Sequence, residues 1–420
     1  MERVTTLPAA GRPPDAPAPD RAESPGSVWR TGVLRRLERV EEGIVAVQEA
    51  GGGDLVLGRP APDGLGARMS VHDPVFWRRV ALGGTVGAAE SYADGDWTAD
   101  DLTSVVRVLV RNRAALDGVE GGLARVRRGL LAVAHALRRN TRGGSRRNIA
   151  DHYDLGNAFF ELMLDPTMTY SCGIFERPDA TLEEASVAKM EALCRRLGVS
   201  RGDHLLEIGT GWGGLAIHAA TRHGCRVTTA TISRRQHELA TERVRRAGVA
   251  DRVTVLLSDY RDLRGKYDKL VSVEMIEAVG AEYYETFFAK CASLLRADGI
   301  MALQAITISD RHYERARREV DFVKRFIFPG SCIPSTTALL AAATRASDLR
   351  LRHLDDIGPH YATTLAAWRS NLRARRPAVE RLTDARFRRL WDFYLCYCEA
   401  GFRERYLGDV QMLLARPGAR

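Results

Sequence analysis

The sequence predicts an α/β chain: a mostly parallel, Rossmann-like sheet preceded by a smaller N-terminal α+β domain. Three observations predict it. The apolar run Leu205-Leu206 passes through Glu207-Ile-Gly-Thr-Gly-Trp-Gly213 into Leu215-Ala-Ile-His-Ala-Ala-Thr-Arg222, which reads as a strand breaking through three alternating glycines into a helix. Beyond it, strand-like and helix-like runs alternate as far as Ile306, the pattern of a parallel sheet. Ahead of it, from Val33 to about Asp73, short β-like runs alternate with glycine clusters before a helical period takes over.

Taken in order, residues 1–28 are rich in proline, alanine and charge and predict a disordered tail. Gly43–Gln48, Asp54–Leu57 and Arg68–Val71 predict short strands, followed by helical pattern to about residue 140. This gives a small domain over 29–140 and a basic, glycine-containing hinge at Thr141–Arg147. The larger domain, 148–415, predicts strands at His204–Ile208, Arg226–Ala230, Val253–Leu257, Lys269–Val273 and Gly299–Ile306. Helices are predicted at Leu215–His223, Ser233–Ala247 and Tyr283–Leu295, with Ser233 able to cap the second. From about 308 to 390 the pattern is mostly helical and arginine-rich, an insertion placed to cover a site.

With 420 residues and 45% hydrophobic content the chain can bury a substantial core. No run approaches the ~18 apolar residues of a membrane span, and the N-terminus lacks the order of a signal peptide, so a cytoplasmic protein is expected. The seven cysteines show no metal-ligand spacing, which predicts reduced thiols and no metal. The net charge is +9, and between Arg107 and Arg147 eleven arginines face only Asp117 and Glu120. Apolar residues interleave with them at helical spacing, so the segment can dock on anionic lipid at the inner membrane face or remain a solvated basic face. If it docks, high salt should release it. No aromatic-interleaved basic strand accompanies the arginines, which argues against nucleic acid.

The glycine turn puts a nucleotide-like ligand at the helix N-terminus. The next strand-like run, Cys225–Thr231, has no terminal acid of the kind a dinucleotide ribose uses. Thr231, Ser233 and Gln236 stand there instead, although they could also simply cap the helix. With Glu207 leading the turn, the pattern favours S-adenosylmethionine (AdoMet).

Five strings then add up: Asn148-Ile-Ala-Asp-His-Tyr-Asp-Leu-Gly-Asn157, Met168-Thr-Tyr-Ser-Cys-Gly173, the glycine turn, Asp259-Tyr-Arg-Asp262 and Ser272-Val-Glu-Met-Ile-Glu-Ala-Val-Gly280. In this order they resemble the cyclopropane-fatty-acid and cyclopropane mycolic acid synthases, over about residues 145–415. The resemblance implies an AdoMet-dependent methyltransferase fold with a helical insertion over the site. The N-terminal part fits more loosely the separate lipid-binding domain of the longer bacterial members.

The resemblance also implies roles. Tyr170, Ser171, Glu207, Gly209, Gly211 and Gly213 would hold the methionine part, Thr231, Ser233 and Gln236 the ribose, and Asp259 and Tyr260 the adenine. His152, Tyr153, Asp154 and Asn157 resemble a lid. Methyl transfer to the cis double bond of an acyl chain esterified in phospholipid would leave a carbocation needing a dry, apolar pocket. Tyr170, Phe175, Phe322, Phe326, Phe328 and Tyr361 are aromatic candidates to steady it. Bicarbonate would deprotonate it, cradled by Cys172, Glu277, Gln304, the backbone of Ile306, and Tyr361. The product the resemblance implies is a cyclopropane; because the family has a histidine followed by Thr-Ile where this chain reads Leu303-Gln-Ala-Ile306, a methylene- or methyl-branched chain formed through the same cation is the alternative. His152 or His360 could compensate. A small-molecule or carrier-protein-bound acyl substrate is a more distant alternative, and a homodimer is an expectation drawn from the family.

Overall fold

The structure, a computed structural model, describes residues 25–49, 54–117 and 156–419. Helix α1 (Pro25–Leu37) begins inside the tail predicted to be disordered. Proline suits a first helical turn, because its missing N–H is one that no intrahelical bond would use. Strands β1 (Gly43–Glu49), β2 (Leu55–Arg59), β3 (Gly66–Val71) and β4 (Trp97–Ala99) form a sheet of order β2-β1-β3-β4. Helices α2 (Val75–Asp94), α3 (Leu102–Arg111) and α4 (Arg113–Asp117) complete this part. The predicted hinge, the lid residues His152, Tyr153 and Asp154, and eight of the eleven arginines lie outside the described residues.

The second part opens with α5 (Asn157–Met163) and α6 (Leu182–Leu197), the latter started by a capping box in which Thr181 and Glu184 satisfy each other's backbone donors. Then come β5 (His204–Ile208), α7 (Gly214–Arg222), β6 (Arg226–Thr231), α8 (Arg234–Arg246), β7 (Val253–Leu257), β8 (Tyr267–Val273), α9 (Tyr284–Leu294) and β9 (Leu295–Ile308). These match the predicted elements closely, because each strand is a β-branched or leucine-rich run bounded by glycine or charge.

The stretch read as mostly helical is so, with one strand that the reading did not name. It contains α10 (Asp310–Arg318), α11 (Phe322–Phe326) and α12 (Thr336–Ala346), but then a strand, β10 (Arg350–Asp356), before α13 (Gly358–Ala374), α14 (Arg376–Leu382) and α15 (Ala385–Arg403). A final strand, β11 (Leu407–Ala415), was not predicted either. β10 is an edge strand with mostly exposed or half-exposed side chains, so its sequence lacks the apolar signal of a central strand. β11 inserts between β10 and β9, giving the order β10-β11-β9-β8-β5-β6-β7, antiparallel at both contacts of β11 and parallel from β9 through β7.

One continuous apolar cluster links the two parts. Val45, Trp77 and Val106 from the N-terminal elements share it with Phe160, Trp391 and Phe402. Helix α15 carries much of this union: it packs against α2, α3 and α13, and Phe393, Leu395 and Phe402 on it are buried. Buried residues run along Trp391–Glu399 on this helix. Among the described residues no helix is long and apolar enough to cross a membrane.

Candidate active site

The carboxyl ends of β5, β6 and β8 open on a cavity of about 240 Å³. Its floor is the glycine turn. Gly209 (φ 103°), Gly211 (φ 51°) and Gly213 (φ 85°) all have left-handed backbones, which is why glycine stands at each. Gly209 and Gly211 line the cavity, whereas Gly213 supports the turn as the N-cap of α7. Glu207 is buried at the end of β5, and its carboxyl accepts a 2.6 Å bond from Thr229.

Thr231 and Gln236 also line the cavity, and the Thr231 hydroxyl donates to the Gln236 side-chain oxygen at 2.8 Å. Ser233 is the N-cap of α8 and is not among the lining residues, so here the capping role prevails. Asp259 is paired with Arg261 at 2.6 Å beside the cavity. The buried Tyr260 hydroxyl, on the same wall, has no hydrogen-bond partner among the described residues. An open glycine floor, a polar rim and an unsatisfied buried hydroxyl fit a nucleoside ligand such as AdoMet.

On the facing wall, the Tyr170 hydroxyl lies 3.0 Å from that of Tyr394, and Ser171 accepts a 2.8 Å bond from Lys189 Nζ. Lys189 escaped the sequence reading. It lies on the buried stripe Ala185, Ser186, Lys189, Met190, Leu193, Cys194, Leu197 of α6, and a lysine on an apolar helical face was the signal to follow. Burial lowers its pKa, opposed chiefly by Glu274. Asn157 accepts a 2.9 Å bond from the Trp212 indole, which fastens the start of α5 over the glycine turn.

Three of the five residues expected to cradle bicarbonate come together, but around another residue. Glu274, immediately after β8, accepts from the Cys172 backbone N–H at 2.8 Å, the Gln304 amide at 2.7 Å and the Tyr361 hydroxyl at 2.5 Å. Glu274 itself lines the cavity, while Cys172, Gln304 and Tyr361 are buried outside its lining. Its φ is 47°, a conformation that a side-chain-bearing residue rarely adopts. The site therefore does not fit a bicarbonate ion on these three donors while Glu274 holds them.

Gln304 is fixed in turn. Its amide also donates to Asp409 at 3.1 Å and its oxygen accepts from Gln411 at 2.9 Å, both partners being on β11, the strand the sequence did not reveal. Burial holds the Asp409 carboxyl well above the usual carboxylate range, reinforced by Glu274 nearby. Glu277 stands apart from the three-donor contact: its carboxyl accepts from the Ile306 N–H at 2.6 Å, and its second oxygen is buried without a partner among the described residues. The Cys172 thiol is fully buried and burial pushes it up, which suits a wall residue better than a nucleophile. His360 is engaged with the Phe175 N–H at 3.3 Å. Of the aromatic candidates, Tyr170 and Phe328 line the cavity, Tyr361 stacks on Phe402 with centroids 4.4 Å apart, and Phe322 is core against Phe393.

Burial raises Glu207 and Glu277 from the ordinary 4.5 to about 8. Each keeps its proton in the folded protein through a range where the unfolded chain has lost it, so stability falls as pH rises from about 4.5 to about 8. Glu277→Gln should flatten part of that decline, read as urea midpoints between pH 5 and pH 8. An unchanged slope would reassign the proton.

Elsewhere, Cys194, His218 and His223 bring their potential ligand atoms within 4.8 Å of one another. Sequence spacing alone gave no hint of this grouping. Both imidazoles bond Glu191 Oε2, at 3.0 and 3.2 Å, a hydrogen-bonded cluster joining α6 to α7.

With this geometry established, the relatives are informative. The profile of the family described as mycolic acid cyclopropane synthetase matches residues 140–412. The chain belongs to that family. It is 39% identical over 371 residues to a tuberculostearic acid methyltransferase of Mycobacterium tuberculosis, covering 85% of each chain. It is 35% identical over 353 residues to the cyclopropane-fatty-acyl-phospholipid synthase of Escherichia coli, covering 83% of this chain and 88% of that one. A solved mycolic acid cyclopropane synthase complexed with SAH and CTAB superposes with a TM-score of 0.61 at 31% identity, over 64% of this chain and 98% of that one. This member of the family is accordingly an AdoMet-dependent methyltransferase, and its homologues are cyclopropane- or methyl-forming fatty acid enzymes.

Proposed function

We propose that the enzyme methylates the cis double bond of an unsaturated acyl chain esterified in phospholipid, and that a methylene-branched chain leaves the site. The observation that carries this reading is the carboxylate of Glu274, set at the wall of the AdoMet cavity among buried donors. AdoMet supplies an electrophilic methyl on a positively charged sulfur. The chain's own residues orient it: the glycine turn and Tyr260 on the nucleoside side, Tyr170 and Ser171 on the methionine side. The aromatic wall of Tyr170, Phe328 and Tyr394 keeps water from the substrate cation.

Two products can leave that cation. A hydride shift followed by proton loss from the new methyl gives a methylene branch, and direct loss with ring closure gives a cyclopropane. The relative named as a methyltransferase shares more of its sequence with this chain, which supports the branched product. The Escherichia coli relative supports the cyclopropane as a second reading.

The lipid-binding role of residues 29–140, and peripheral attachment to an anionic membrane, belong to the same proposal. Three arginines of the basic segment are already committed within the fold: Arg107 and Arg111 pair with Glu404, and Arg113 stacks on Tyr406. Membrane attraction would rest on the remaining eight.

The test is expression in a host rich in unsaturated phospholipid, with methionine labelled at its methyl carbon, followed by NMR of the fatty acids. Label is expected in an exocyclic methylene. Label in a cyclopropane ring would establish the second reading, and unlabelled lipid would refute both.

A further inference from the structure

We infer that Glu274 is the proton acceptor of the reaction, built into the chain where a bound bicarbonate would otherwise sit, so that turnover requires no bicarbonate. The inference rests on the proposed methyl transfer to an alkene and deepens it.

The argument begins with shape. A carboxylate and a bicarbonate present the same planar pair of oxygens, so one set of donors can hold either but not both. Here the Cys172 N–H and the Gln304 amide meet Glu274 Oε1, and the Tyr361 hydroxyl meets Oε2. All three contacts are donors to Glu274, the pattern of a carboxylate rather than of an acid. Two other buried carboxyls lie nearby, but each is accounted for differently. Glu277 is turned to the Ile306 N–H, Asp409 accepts from Gln304 and also lies within hydrogen-bonding reach of Glu274, and burial favours the neutral form of both.

Placement supports the role as strongly as bonding does. Glu274 lines the cavity that also contains Tyr170, Glu207 and Gly209, whereas its three partners stand behind it. Its left-handed φ of 47° is a local cost at a position where glycine would be the easiest residue. Such strain persists where the surroundings over-determine it, and here the three donors do so. Gln304 suits the arrangement better than a titratable ring, because its amide must donate to Glu274 and Asp409 while its oxygen accepts from Gln411.

The chemistry balances without another reactant. The C–S bond of AdoMet breaks as the alkene's π electrons form the new C–C bond, leaving the positive charge on the acyl chain. A C–H bond of the transferred methyl then breaks. Its electron pair closes the ring or, after the hydride shift, forms the methylene double bond, and its proton passes to Glu274. Water removes that proton once product has left.

The experiment compares full-length enzyme on vesicles of unsaturated phospholipid, in carbonate-free buffer under argon and with bicarbonate added back. Wild type is expected to show equal rates in both. Glu274→Gln keeps the shape and loses the base, so product formation should fall by about 100-fold or more, with the AdoMet Kd within about threefold of wild type. Glu274→Gly empties the cradle, and added bicarbonate should restore part of its activity in a saturable way. Wild-type activity that disappears without bicarbonate and returns with it would overturn the inference, as would a Glu274→Gln variant of normal rate. Wild type that labels no lipid in either buffer would instead refute the proposed function, and the assigned base with it.

Discussion

Gly209→Val is expected to raise the Kd for AdoMet by at least about 100-fold, roughly 2.7 kcal/mol, and to stop turnover. The residue has a φ of 103°, where a β-branched side chain is a severe outlier. A Cβ at that position would also lie 3.3 Å from Cβ and Cγ of Met275, on the loop just past Glu274. Valine therefore forces the turn to shift, and the turn is the cavity floor. Its N–H, bonded to the Ala230 carbonyl at 3.0 Å, ties the floor to β6, so the displacement reaches the Thr231 side as well. Gly198→Ala is the matching control. That glycine is the left-handed C-cap of α6, with nothing within 4 Å of an added Cβ, and its replacement should cost about 1 kcal/mol of stability with AdoMet affinity unchanged. Calorimetric titration of both variants decides the matter. A Gly209→Val protein that binds AdoMet within threefold of wild type would remove the glycine turn from the cofactor site.

Glu399→Ala should destabilise the protein by about 3–5 kcal/mol, the largest loss expected from a residue outside the cavity. Glu399 is only 2% exposed. Its carboxylate meets Arg369 at 3.1 Å, Arg403 at 2.8 Å and the hydroxyl of Thr103 at 3.2 Å. Thr103 belongs to α3 in the N-terminal part, and Arg369 to α13 over the second sheet. Alanine leaves the mostly buried Arg369 without its carboxylate and cuts a polar tie inside the apolar cluster common to both parts. Glu399→Gln, which retains a partner for Thr103, should lie between alanine and wild type. Denaturant titrations measure both, and a loss under about 1 kcal/mol for alanine would show that apolar packing alone holds α3 to α15.

How far the sequence could be read depended on where each element's signal resides. β5 and β7 were predicted to the residue: β5 because a buried central strand is leucine-rich and stops at the glycine turn, and β7, an edge strand, because its valine, threonine and leucine run is bounded by Arg252 and Ser258-Asp259. Ser233 as a helix cap was legible for the same local reason. β11 hid because it carries a fully buried aspartate and glutamine, Asp409 and Gln411, whose sense appears only when Gln304 on β9 hydrogen-bonds to both. Glu274 was visible in the string Ser272–Gly280 as an acid directly after a strand, yet nothing local separated it from Glu277 three residues on.

The amino-acid sequence by itself determined the family, the glycine turn and the parallel core of the sheet, since these follow from periodicity, turn chemistry and short motifs acting over a few residues. Only the tertiary structure decided which carboxylate takes the cradle. That choice depends on donors from residues 172, 304 and 361, brought together by loop, strand and helix far apart in the chain, and on a backbone twist at one residue that turns Glu274 toward them.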